Sequence, residues 1–167
     1  MKPGERSEPG DVPSFPDGRV AIVSARFYPE LADWLEDGAR RALDACGVGA
    51  ERRVFASVPG CFELPLAASR LNGLERVDAV VALGVVIRGE TPHFDYVAGE
   101  CARGIMAVQL ATGVPVGFGV LTTDTTAQAQ ERADPARGDK GFSATIAALS
   151  VAAIGVPPPR STLGFRR

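Results

Sequence analysis

Histidine and cysteine are scarce in this chain, and neither charge sign dominates. A single imidazole, His93, excludes metal sites built from several histidines and leaves one residue for any imidazole catalysis. Cys46, Cys61 and Cys101 are odd in number and show no CxxC spacing. That argues against a disulfide framework or a metal site, and for small reduced thiols in the core. Eighteen Lys and Arg against 20 Asp and Glu leave a formal net charge of -2, so the basic footprint of a nucleic-acid binder is missing. No apolar run approaches the roughly 20 residues of a membrane helix. The opening MKPGER lacks the basic-then-apolar layout of a secretion signal, so the expected compartment is the cytoplasm. There is no Walker loop and no GxSxG nucleophile motif.

What is present is a chain of 167 residues, 46% hydrophobic and 23% charged, which suits one ordinary globular domain. Prolines 3, 9, 13 and 16 with glycines 4, 10 and 18 predict a mobile arm over 1–18. Pro157, Pro158 and Pro159 end the last helix and leave a tail over 157–167. The folded body is expected over 19–156. Within it, strand and helix signals alternate. Short β-branched runs at 19–25 and 53–57 read as strands. The nearly continuous apolar run VDAVVALGVVI at 77–87 suits a central parallel strand covered on both faces. A fourth strand is expected at PVGFGVL, 115–121. Helices are expected at 29–46, 61–71, from Thr91 and Pro92 to Gly113, at 125–133 and at 140–154. Thr91 is expected as N-cap of the third, with Pro92 at its first position. The last helix is apolar on most faces, which points to packing on another subunit.

This alternation argues for an α/β architecture: a three-layer, flavodoxin-like domain with a four-stranded parallel sheet in the order 2-1-3-4 and helices on both faces. Ligands of such sheets bind beyond the carboxyl ends of the strands. The loops at 25–29, 58–63, 88–93 and 121–125 therefore share one edge. The richest is RGETPH. Gly89 lets an anion approach the backbone, Thr91 adds a hydroxyl, and the helix start offers free N–H groups. His93 falls in the first helical turn, where an imidazole suits general-base work, although a lone loop histidine is also compatible with a structural place. Glu63 suits either dipole compensation or hydrogen bonds to sugar hydroxyls. Phe27 and Tyr28 follow the first strand and suit either core packing or stacking on a flat ring. Arg132, Arg137 and Lys140 flank a loop before the last helix, as a solvated surface or as phosphate ligands.

Taken together and in order, RF at 26–27, PGCFELP at 59–65, LGVVIRGETPHFDY at 83–96, FGVLTT at 118–123, ERA at 131–133 and DKG at 139–141 resemble the lumazine synthase family. The likeness spans about 19–155. It implies condensation of 5-amino-6-(D-ribitylamino)uracil with 3,4-dihydroxy-2-butanone 4-phosphate to 6,7-dimethyl-8-ribityllumazine, phosphate and water. By the family pattern Phe27 stacks on the pyrimidine. Cys61, Phe62 and Glu63 border the ribityl chain, and Val86 and Ile87 offer backbone contacts. Gly89, Glu90 and Thr91 hold the phosphate with Arg132 as cationic clamp, and His93 shuttles protons. Phe118 and Lys140 complete a pocket between neighbouring copies of a homopentamer, which in this family sometimes grows into a larger shell. No cofactor and no metal are expected.

The chain departs from the pattern at Tyr28, where many relatives carry Asn, and at Cys61, which replaces a small Ala or Ser. It departs again across 134–139, where DPARGD stands for the common GTKAGN at equal length. A non-catalytic flavin-binding or shell-forming relative is the alternative reading. It predicts damage at His93, Arg132 or Lys140, and all three residues stand.

Overall fold

The computed structural model describes residues 12–154. Four strands, β1 (Val20–Ala25), β2 (Arg53–Val58), β3 (Ala79–Ile87) and β4 (Val116–Thr123), form one parallel sheet in the order β2-β1-β3-β4. The expected flavodoxin-like order holds. Helices α1 (Pro29–Ala45), α4 (Thr126–Ala133) and α5 (Lys140–Ala152) cover one face, and α2 (Leu64–Glu75) and α3 (His93–Thr112) the other. Side chains alternate across the strands as a pleat requires. Val20 and Ile22 of β1 meet Leu35, Leu43 and Leu149 on the first face; Ala21 and Val23 meet Leu64, Cys101 and Ile105 on the second.

Local chemistry sets several boundaries. Pro29 and Pro65 sit in the first positions of α1 and α2, where a missing N–H costs nothing. Gly113 ends α3 at φ 71°, in the left-handed region open to glycine. The Thr125 hydroxyl accepts from the Gln128 amide and caps α4. The start of α3 differs from expectation: Pro92, not Thr91, holds the cap position, and no side chain caps the helix. Proline's fixed φ puts Pro92 at helical angles, but the helix proper begins at His93.

Packing adds detail at both ends of the described chain. Phe15 is buried in the core and its amide donates to the Cys46 carbonyl at 2.7 Å, so part of the 1–18 arm belongs to the body. Residues 1–11 and the tail over 157–167 lie outside the described residues. Much of the apolar breadth of α5 packs inside the protomer, where α5 lies beside α1 on the same sheet face, while Val151 and, just beyond the helix, Ile154 stay exposed. The helix approaches backbone to backbone on both sides. A Cβ at Gly141 would collide with the Leu35 carbonyl oxygen, and one at Gly117 with the Ala144 carbonyl oxygen. The two glycines serve contacts within the chain.

Gly141→Ala is therefore expected to destabilise the protein by about 1–3 kcal/mol, seen as a lower urea midpoint or Tm. An unchanged midpoint would mean that α1 and α5 do not meet at this glycine.

Candidate functional site

The carboxyl ends of β1, β2 and β3 deliver three loops to one edge, at the point where the strand order reverses. Such switch points are where open parallel sheets bind ligands. A cleft of about 520 Å³ opens there, lined by Phe27, Cys61, Phe62, Glu63, Val86, Ile87, Gly89, Thr91 and His93 among others. Its volume suits a small organic ligand. The expected residues of the first three loops are thus brought together. Glu90 is the exception: it is exposed and does not line the cleft.

Each wall has a local cause. Arg26, before Phe27, is pinned by Glu36 at 3.0 Å and by Asp33 at 2.6 Å, both on α1. Phe27 is left 71% exposed, with its ring edge-on to Tyr28 at 5.0 Å between centroids. A flat aromatic face is therefore open to a stacking partner. At the second loop the Gly60 amide donates to Glu63 Oε2 at 2.9 Å, so the carboxylate closes its own turn. Below it Cys61 is buried in the space that Gly84 leaves without a side chain. Its Sγ lies 3.7 Å from the Val85 carbonyl oxygen.

The third loop is braced by Arg88. Its amide donates to the Thr123 carbonyl at 2.8 Å, and its guanidinium reaches Asp124 and Asp95 and lies 4.1 Å above the Phe94 ring. The hydrogen bond to Asp124 is the chief cause of a raised Arg88 pKa. Gly89 has open space around it, and Thr91 and His93 are exposed beside the start of α3. Backbone donors, a hydroxyl and an imidazole thus converge on one small volume, an arrangement that accepts an oxyanion.

Phe118, Arg132 and Lys140 do not reach this cleft in the single chain. They line a second hollow of about 410 Å³ beside β4, with Thr122 and Ser143. Arg132 donates to the Gln128 carbonyl at 3.2 Å, and Lys140 is the first residue of α5. Sequence reasoning missed Phe94, Tyr96 and Val97 as lining residues of the main cleft. The i, i+3, i+4 spacing of His93, Tyr96 and Val97 was the available signal. Among the described residues no group of three or more His, Cys, Asp or Glu is arranged to hold a metal ion.

The family model of 6,7-dimethyl-8-ribityllumazine synthase matches residues 17–155. The chain belongs to this family. A protein of that name from Kineococcus radiotolerans is 56% identical over 144 residues, 84% of this chain and 88% of the relative. One from Kocuria rhizophila is 54% identical over 136 residues, 80% and 85% of the two chains. A third, from Halorhodospira halophila, is 46% identical over 142 residues, 85% and 91%. Members thus align over nearly the whole described body, including every loop of both clefts.

Burial raises the pKa of Cys61 to about 12 and those of Cys46 and Cys101 to about 11. At pH 8 the native protein is expected to leave all three thiols unmodified by an aromatic disulfide reagent, with all three reacting in denaturant. A folded pKa raised above the unfolded one gives stability that is whole below about pH 9 and lost as pH rises to 11–12. Urea midpoints should therefore fall across that window, and a midpoint flat from pH 8 to 11 would contradict thiol burial.

Proposed function

We infer that this chain condenses 5-amino-6-(D-ribitylamino)uracil with 3,4-dihydroxy-2-butanone 4-phosphate, forming 6,7-dimethyl-8-ribityllumazine, phosphate and water, in riboflavin biosynthesis. One observation carries the reading: an exposed aromatic face, a carboxylate, free loop backbone and the sole imidazole share one cleft in a chain whose residues 17–155 match this family. The roles of individual residues extend that inference. Phe27 stacks on the pyrimidine and Glu63 meets the ribityl hydroxyls. Cys61, Phe62, Val86 and Ile87 shape and contact the rest of that substrate. Gly89 and Thr91 hold the phosphate at the start of α3, and Glu90 lends its backbone to the same loop.

The reaction needs an amine to attack a ketone, loss of water to a Schiff base, departure of phosphate and closure of the ring. Most of the rate comes from holding two reactants in register, which supplies up to about 7–11 kcal/mol in favourable intramolecular cases. His93 moves the protons that the attack and the elimination require.

Arg132, Lys140 and Phe118 enter this scheme from a neighbouring copy. In our reading the active assembly is a homopentamer in the cytoplasm, and the second hollow of one protomer faces the main cleft of the next. Two features support association. The cations suited to a phosphate stand apart from the imidazole within one chain. Tyr96, Met106 and Leu110 of α3, and Phe118 of β4, also expose large apolar side chains that association could cover.

Purified protein given both substrates is expected to produce the fluorescent lumazine, and no product would refute the assignment. His93→Ala is expected to slow turnover by about 10²-fold without abolishing it; wild-type turnover would remove His93 from the mechanism. Arg132→Ala should raise the KM for the sugar phosphate about tenfold, the scale of one lost charge-assisted bond, with a smaller change for the pyrimidine. Sedimentation velocity reads the oligomer.

A further inference from the structure

The segment 134–139 joins Arg132 to Lys140, and its far end is gripped by a helix that lines neither cleft with the gripping residue. Arg41 of α1 donates to Asp139 Oδ2 at 2.9 Å and to Oδ1 at 2.8 Å, while its Nε donates to Asp37 at 2.9 Å. Two parallel N–H···O bonds fix both the position and the plane of a carboxylate. The Asp139 side chain is only 22% exposed, so this pair is better shielded than most on the surface. Gly38 provides the seat: a Cβ there would stand 2.6 Å from Asp139 Oδ1 and 2.8 Å from the Phe142 amide nitrogen. Asp139 sits at φ 46°, a left-handed conformation that a non-glycine residue holds only when its surroundings demand it. Its amide donates to the Asp134 carbonyl, and its own carbonyl accepts from the Ser143 amide and hydroxyl. The carboxylate's hydrogen bonds to Arg41 raise the guanidinium pKa, so the fork stays charged.

We propose that the Arg41–Asp139 fork is a positioning device for the second hollow: it sets where Lys140 stands without touching the ligand. Asp139 is the cap residue of α5 and Lys140 the first residue within it, so a shift of the carboxylate carries the ammonium with it. The proposal rests on the reading in which Lys140 meets a phosphorylated substrate. An ion pair that merely added stability would leave the kinetics of the folded enzyme unchanged, and that difference is measurable.

The test is a double-mutant cycle in the full-length protein with Arg41→Met, Lys140→Ala and their combination, each checked for folding by thermal melt. Arg41→Met is expected to raise the KM for the sugar phosphate about tenfold, with kcat within about threefold. The same change should add less than about twofold once Lys140 is Ala, because contacting residues couple and independent ones add. Arg41→Lys keeps the charge but loses the fork, and should recover only part of the affinity. If Arg41→Met folds poorly, Asp139→Asn, which tolerates the same φ, is read in its place. Inorganic phosphate titrated calorimetrically into the same proteins reads the coupling without turnover. Coupling in phosphate binding from a protein that makes no lumazine would sink the function and keep the fork. Lumazine formation with full additivity, or a fork variant altered only in Tm, would sink the fork and keep the function. Absence of coupling in both measurements overturns the proposal.

Discussion

Residues Ala79–Val85 of β3 are buried, and a central parallel strand must be covered by helices above and below. Covering both sides with a parallel sheet requires a crossover after every strand, so each carboxyl end opens into a loop on the same edge. The order β2-β1-β3-β4 sends chain in opposite directions from β1 and β3. The gap between the departing loops is the main cleft. Its position thus follows from how the core is covered, before any functional side chain is considered.

Close backbone approach then decides how the second hollow is built. Glycines 117 and 141 let α5 sit against β4 and α1 without an intervening layer of side chains. That seats Lys140 and the end of α4 beside β4, where Phe118 and Thr122 point outward. The chain therefore presents a cleft with an exposed aromatic face, a carboxylate and an imidazole on one part of its surface and two cations on another.

Much of the architecture was legible in the sequence because the patterns had single physical solutions. A continuous apolar run between turn signals fits a doubly covered strand, and alternating strand and helix signals leave few topologies. Gly113, Pro29 and Pro65 marked helix ends through backbone geometry alone. Where several partners could satisfy the same signal, the sequence was ambiguous. The apolar breadth of α5 fits burial within the chain as well as an outer interface; Ala144, Ile146 and Leu149 are buried in the core, while Val151 stays exposed. Phe15 sits in a proline-rich stretch, yet its amide bonds to the Cys46 carbonyl and its side chain packs in the core.

The chain of residues by itself determined the strand order, the edge that carries the loops, and the set of chemical groups available: one imidazole, exposed loop aromatics, carboxylates and late cations. These are local or periodic properties, carried by short stretches of chain. Only the tertiary structure decided that the first three loops form one cleft while Phe118, Arg132 and Lys140 form another, and that Arg41 reaches across 98 positions to hold Asp139. Such pairings depend on distances between segments remote in sequence, which packing sets and spacing along the chain does not encode.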